Sequence, residues 1–172
     1  MQLIADQQFL YQIHEIRDKI FRITKRILVS QEEAEDATQE VIVKLWSLGT
    51  EKRKSFKSME AYSVTIAKNH CLDRLKSKQA QVLSFDDSIA VQKTVSMQKE
   101  IEVKDELRWV SNLIDQLPER ERMIIQLREI EHYDFNQIAT ILEIPEGTVR
   151  VYLSRIRKKL KTQFLEIQNH GL

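Results

Sequence analysis

Phe9, Ile13, Ile16, Ile20, Ile23 and Ile27 recur at spacings of 4, 3, 4, 3 and 4, and only an α-helix turns that period into a single stripe. The chain is therefore expected to open with a helix of about five turns or more, its stripe facing a core. Ser30 with Glu33 three residues later has the form of a capping box, so a second helix is predicted from Gln31, turning Ala34, Ala37, Val41, Leu45 and Leu48 inward. Its acidic first turn also suits the helix dipole. Gly49 to Lys57 has no apolar period and reads as a loop. A third helix is predicted from Ser58 or Met59 to about Lys78, with Val64, Ala67, Cys71 and Leu75 inward and Thr65, Asn69, Asp73 and Lys76 on another face. No segment argues for a strand.

From Gln79 to about Lys99 the periodicity fades and Ser, Gln, Asp and Thr accumulate, which predicts a flexible linker. About 20 to 28 extended residues would span roughly 65 to 100 Å. A second helical cluster follows: Val103, Leu107, Val110, Ile114 and Leu117 on one helix, then Pro118 in the first turn of the next, which carries Met123, Ile124, Leu127 and Ile130. The expected fold class is all-α, two small helical domains (residues 1–78 and 104–166) joined by a linker at 79–103.

Composition removes several function classes. A single cysteine, Cys71, and four scattered histidines leave no disulfide framework and no ligand cluster, so neither metal nor other cofactor is expected. Three glycines cannot build a phosphate-cradling loop. No long apolar run or signal-peptide order is present, so no membrane insertion and a reducing, cytoplasmic location are expected.

Net charge is +1, but the average conceals polarity. Residues 31–40 hold five acids and no base. Residues 44–78 hold nine bases against three acids, and residues 146–163 hold six bases against Glu146 alone. Between the two basic segments, residues 79–106 hold six acids against three lysines, and two basic segments flanking an acidic spacer favour nucleic acid over a merely solvated surface.

The densest signal lies in the last third. Asp134 with Gln137 predicts a short helix at about Phe135–Leu142, a tight connection at Glu143, Ile144 and Pro145, and a helix from Glu146 to about Phe164. That is a helix-turn-helix, with Ala139 small at the crossing and Ile138, Leu142, Ile144, Val149, Leu153 and Ile156 as shared core. The polar side of its second helix displays Thr148, Arg150, Val151, Ser154, Arg155 and Lys158, types able to read base edges in a major groove.

LPERERMIIQLREIEHYDFNQIATILEIPEGTVRVYLSRIRKKLK resembles region 4 of the extracytoplasmic-function (group 4) sigma factors of the sigma-70 family. QEEAEDATQEVIVKLW resembles their region 2.2, and MEAYSVTIAKNHCLDRLKSK their regions 2.3 to 2.4, with Ile66, Ala67, Asn69 and Asp73 in register. The chain departs from the family pattern at Gln137 (usually Glu), Glu143 (usually Gly), Tyr62 (usually Trp) and Val151 (usually Ser). Glu143 in a left-handed conformation would cost about 1 kcal/mol.

The resemblance implies a non-enzymatic subunit that binds core RNA polymerase and directs it to promoters. It implies docking on the clamp helices of the large catalytic subunit through Asp36, Gln39 and Glu40, with Lys44 and Trp46 nearby, and contact with the second large subunit. In region 4 it implies recognition of the −35 element: Arg150, Val151, Ser154 and Arg155 on bases, Thr148, Arg157 and Lys158 on phosphates. In region 2 it implies capture of an unstacked −10 base by Asn69, with Lys57, Lys68 and Lys76 on the backbone and Tyr62, or Phe56, available to stack. An anti-sigma factor is a further implied partner. A helix-turn-helix regulator that never joins polymerase is the alternative, and it leaves the first 78 residues without a role.

Overall fold

All six residues of the opening stripe are buried, two of them, Ile20 and Ile27, completely. In the computed structural model, which describes residues 2–55, 58–85 and 105–170, they lie on one helix, α1 (Gln2–Leu28). It ends at Val29, whose φ of 60° breaks the helical run, and the Ser30 hydroxyl then accepts from the Glu33 amide at 3.4 Å to start α2 (Gln31–Trp46). Thr24 and Thr38, both buried, satisfy one another at 3.0 Å where α1 and α2 cross. The expected loop at 49–57 instead contains a short helix, α3 (Thr50–Ser55). Apolar period could not announce it, because none of its residues, TEKRKS, is apolar. α4 (Met59–Phe85) runs seven residues beyond the expected end. No Pro or Gly stops it there.

The second unit comprises α5 (Asp105–Asp115), α6 (Glu119–Ile125), α7 (Phe135–Leu142) and α8 (Glu146–His170). Pro118 is the N-cap of α6 rather than its first residue. α6 widens into a π-helical turn at Gln126–Ile130, where the Glu131 amide donates to the Gln126 carbonyl, five residues back, at 3.0 Å. Every regular element among the described residues is helical. Most of the expected tether, residues 86–103, lies outside them.

Two cores result. One is local to the first unit: Phe9, Ile13, Ile16, Ile20, Val41, Leu45 and Ala67. The other runs across both units, joining Ile23, Ile27, Val64 and Cys71 to Leu117, Met123, Ile124, Leu127 and Ile141. The helices thus form the two units expected, but the units are docked, with α6 against α1 and α7 against α4.

Polar contacts ring that shared core. Arg122 donates to the carbonyls of Arg26 (2.9 Å) and Ile27 (2.8 Å), acceptors that the end of α1 leaves open. Arg26 reaches Asp115 at 2.7 Å and Gln126 at 3.0 Å. Arg22 forms a two-bond fork to Glu131, both at 2.8 Å. The Tyr133 hydroxyl donates to Glu60 at 2.6 Å, and Lys19 donates to the same oxygen at 2.5 Å. Burial pushes the Glu60 carboxyl up, but these two donors outweigh it and hold it below its ordinary value. Basic residues of the first unit therefore meet acidic residues of the second, a complementarity that net charge alone hides.

Candidate nucleic-acid and polymerase interfaces

The helix-turn-helix is built by local chemistry. Asp134 accepts from the Gln137 amide at 2.7 Å while the Gln137 side chain accepts from the Asp134 amide at 2.9 Å, a reciprocal capping box. Glu143 then adopts φ 56°, ψ 43°, the left-handed conformation that glycine would take without strain. The Ile144 amide donates to Ala139 at 3.1 Å, and the Pro145 carbonyl accepts from Thr148 at 2.9 Å to launch α8. Ile138 and Ile141 of α7 and Val149, Leu153 and Ile156 of α8 are buried in the core that the two units share. Ile141, outside the expected shared core, is buried, whereas Leu142 and Ile144 are only half-buried.

On the outer face of α8, Arg150, Val151, Ser154, Arg155, Arg157 and Lys158 are exposed and Thr148 is half-buried. Two of these cations have intramolecular partners. Arg157 pairs with Glu129. Arg150 donates Nε (3.1 Å) and Nη2 (2.6 Å) to one oxygen of Glu146, and its guanidinium lies 4.0 Å from the centre of the Phe135 ring. Arg155 and Lys158 line a shallow groove with Lys159, Thr162, Gln163 and Glu166.

The basic face of α4 is a different case. Asn69 and Lys76 are exposed and Tyr62 is half-buried against the local core of the first unit. Lys57 and Phe56 lie outside the described residues. Lys68, expected at the surface, is only 4% exposed. It lines a small gap between the units with Ile23, Ile27, Val64, Met123, Leu127 and Ile141 and with the polar Arg26 and Gln126, and its ammonium is 3.7 Å from the Glu143 carboxylate. The reason is helical arithmetic: Lys68 follows Val64 by one turn on the face that the second unit covers, and its aliphatic stem tolerates the apolar contact.

On α2, Asp36, Gln39, Glu40, Lys44 and Trp46 are all exposed. The carboxylates are engaged nonetheless. Arg74 binds both Asp36 and Glu40, and its hydrogen bond holds the Asp36 carboxyl below its ordinary range. Lys44 lies 3.2 Å from His70 Nδ1. Trp46 packs 5.8 Å from Phe9, and the Arg53 guanidinium lies 3.7 Å over the Phe9 ring while donating to the Trp46 carbonyl at 2.6 Å. Phe135, Glu146, Arg74 and Arg53 were not singled out from sequence; the i,i+4 spacing of Glu146 and Arg150 was the one available signal.

Cys71 is buried, and burial pushes its thiol up to about 12. Among the described residues no group of side chains could hold a metal ion, and no helix is long and apolar enough to cross a membrane.

Comparison with known proteins matches both halves. Residues 13–81 match the family described as Sigma-70 region 2, and residues 107–160 the family described as Sigma-70, region 4. The ECF RNA polymerase sigma factor SigW of Bacillus subtilis is 28% identical, over 95% of this chain and 92% of its own length. The RNA polymerase sigma-H factor of Pseudomonas aeruginosa is 29% identical over 83% of this chain and 78% of its own. Among solved structures, the sigma factor RpoE in complex with the anti-sigma factor NepR from Bartonella quintana shares the fold, with a TM-score of 0.72 over 94% of this chain and 98% of that one at 19% identity. With regions 2 and 4 in order, the chain belongs to the extracytoplasmic-function sigma factors of the sigma-70 family, initiation factors that bind core RNA polymerase and direct it to promoters.

Proposed function

We propose that region 4 (α5 to α8) reads the −35 element and region 2 (α1 to α4) the −10 element, with the segment between α4 and α5 as the tether. The observation that carries this reading is the row Arg150, Val151, Ser154 and Arg155, exposed on the second helix of a helix-turn-helix. These four contact base edges, while Thr148, Arg157 and Lys158 contact phosphates. Asn69 offers one amide donor and one acceptor to an unstacked −10 base, with Lys57 and Lys76 on the backbone and Tyr62 stacking. Asp36, Gln39 and Glu40, with Lys44 and Trp46, meet the clamp helices of the large catalytic subunit. An arginine of the clamp then competes with Arg74 for the same carboxylates.

Docking of the two units adds a condition. Lys68 can reach a phosphate only after region 4 leaves α4, so promoter engagement requires the units to part. Unstacking costs a few kcal/mol per step, and the isolated chain does not open duplex DNA. The working location is the cytoplasm, and an anti-sigma factor is the natural partner to hold the units together.

Run-off transcription with purified core polymerase over a genomic DNA pool tests the proposal. Initiation from fragments sharing two elements spaced by more than one helical turn is expected. Binding to DNA without any transcript above core polymerase alone would instead support the stand-alone regulator.

A further inference from the structure

The surroundings of Arg150 go beyond what a basic surface residue needs. Its Nε–H and one Nη2–H go to the same Glu146 oxygen, at 3.1 and 2.6 Å. Its guanidinium also lies 4.0 Å from the centre of the Phe135 ring. A second guanidinium, Arg128, lies 4.5 Å from that ring and is itself anchored by a 2.9 Å bond to the Tyr133 carbonyl. Phe135 is the first residue of α7, half-buried and packed against the shared core, so the ring is fixed from behind.

From this geometry we infer that Phe135 and Glu146 are positioning residues that aim Arg150 at a guanine. The inference rests on the reading of Arg150 as a base contact. Arginine has five N–H donors. Glu146 occupies the Nε/Nη2 edge, which leaves one Nη2–H and both Nη1–H groups. That remaining end presents two parallel donors, the arrangement that spans guanine O6 and N7. The ring supports the guanidinium plane through its π face. The Glu146 carboxylate also repels phosphate, which keeps Arg150 from collapsing onto the backbone and losing its selectivity. Arg155, one turn further along, has no such cradle described around it and serves as an internal comparison.

The test uses the full chain with core polymerase and a promoter fragment recovered from the genomic pool, its upstream element randomised. Bound fragments are sequenced for wild type, Arg150→Ala, Phe135→Leu, Phe135→Tyr, Glu146→Gln and the Phe135→Leu/Arg150→Ala double variant. Arg150→Ala should erase the preference for guanine at one position. Phe135→Leu should weaken that same preference about threefold to tenfold, leave other positions unchanged, and add nothing once Arg150 is already alanine. Phe135→Tyr keeps a π face and should retain the wild-type pattern. Glu146→Gln should bind scrambled DNA more tightly while its guanine preference falls.

A Phe135→Leu loss of equal size in the Arg150→Ala background, or one spread over every position, would assign the ring to packing alone and overturn the inference. So would an effective Arg150→Ala beside silent Phe135→Leu and Glu146→Gln. If Arg150→Ala itself changes nothing, the reading of Arg150 as a base contact fails, and the cradle has no recognition role. Should Phe135→Leu lose its folded thermal transition, Glu146→Gln decides the matter independently.

Discussion

The two basic faces of this molecule, on α4 and on α8, look alike as charge patterns and differ in the structure. On α8 the apolar residues needed for packing, Val149, Leu153 and Ile156, occupy one side, and the bases occupy the other. On α4 one base, Lys68, falls on the packing side and is covered by the other half of the chain. A lysine's position on the helical period therefore decides whether its charge is available, and a charge count cannot. The difference also gives the two basic surfaces different states in the docked chain: one open, the other partly sealed by its neighbour.

The strongest way to break the comparison is to remove what holds the neighbour in place. Arg122→Ala leaves the Arg26 and Ile27 carbonyls without their donor in a desolvated setting, and should cost about 2 to 4 kcal/mol of stability. Urea unfolding measures the loss, and small-angle scattering should report a larger radius of gyration at urea concentrations below the transition.

A matched pair sharpens the contrast between the faces. Lys158→Ala should weaken binding of the free chain to every DNA sequence and lower the salt dependence by about one counterion. Lys68→Met should leave free-chain binding unchanged and keep or raise stability by up to about 1 kcal/mol, because the apolar stem stays and a buried charge goes. Reduced DNA binding by free Lys68→Met would show that the face is already open.

Smaller still, Glu143→Gly removes the left-handed strain but also the 3.7 Å contact with Lys68. The strain is worth about 1 kcal/mol, and a carboxylate 82% exposed contributes less than that. A modest rise in melting temperature is expected, by calorimetry.

The smallest effect comes from His70. Burial, then the neighbouring Lys44, holds its imidazolium below the ordinary value of 6.5. The unfolded chain thus takes up a proton first as the solution acidifies. This contribution is complete above about pH 6.5 and is lost as pH falls through the lowered folded value. Urea midpoints between pH 7.5 and 5 should therefore decline less steeply in His70→Gln than in wild type.

Much of this architecture could be read from residue order because it rests on local rules. The stripe from Phe9 to Ile27 is a period, and the Asp134–Gln137 box is two reciprocal hydrogen bonds within four residues. Both are settled by neighbours in the chain. What escaped depends on distant partners: Arg122 against the end of α1, Tyr133 on Glu60, the burial of Lys68. Nothing near any of these residues records its partner, since complementary charges on two separate helices leave no period. α3 escaped for the opposite reason, being too short and polar to show one. The exposed rows on α2 and α8 were visible as patterns. The cradle around Arg150 was not, because Phe135 lies fifteen residues away across a turn.

α1 serves both cores, its first half packed within its own unit and its last turns beneath the other. Lifting region 4 would wet Ile23, Ile27 and Leu28 together, a greasy strip at the tip of a rod about 40 Å long. A spread-open chain would consequently be sticky on its own, gathering into clumps unless a host enzyme or an inhibitor shields it, so activation and solubility pull against each other.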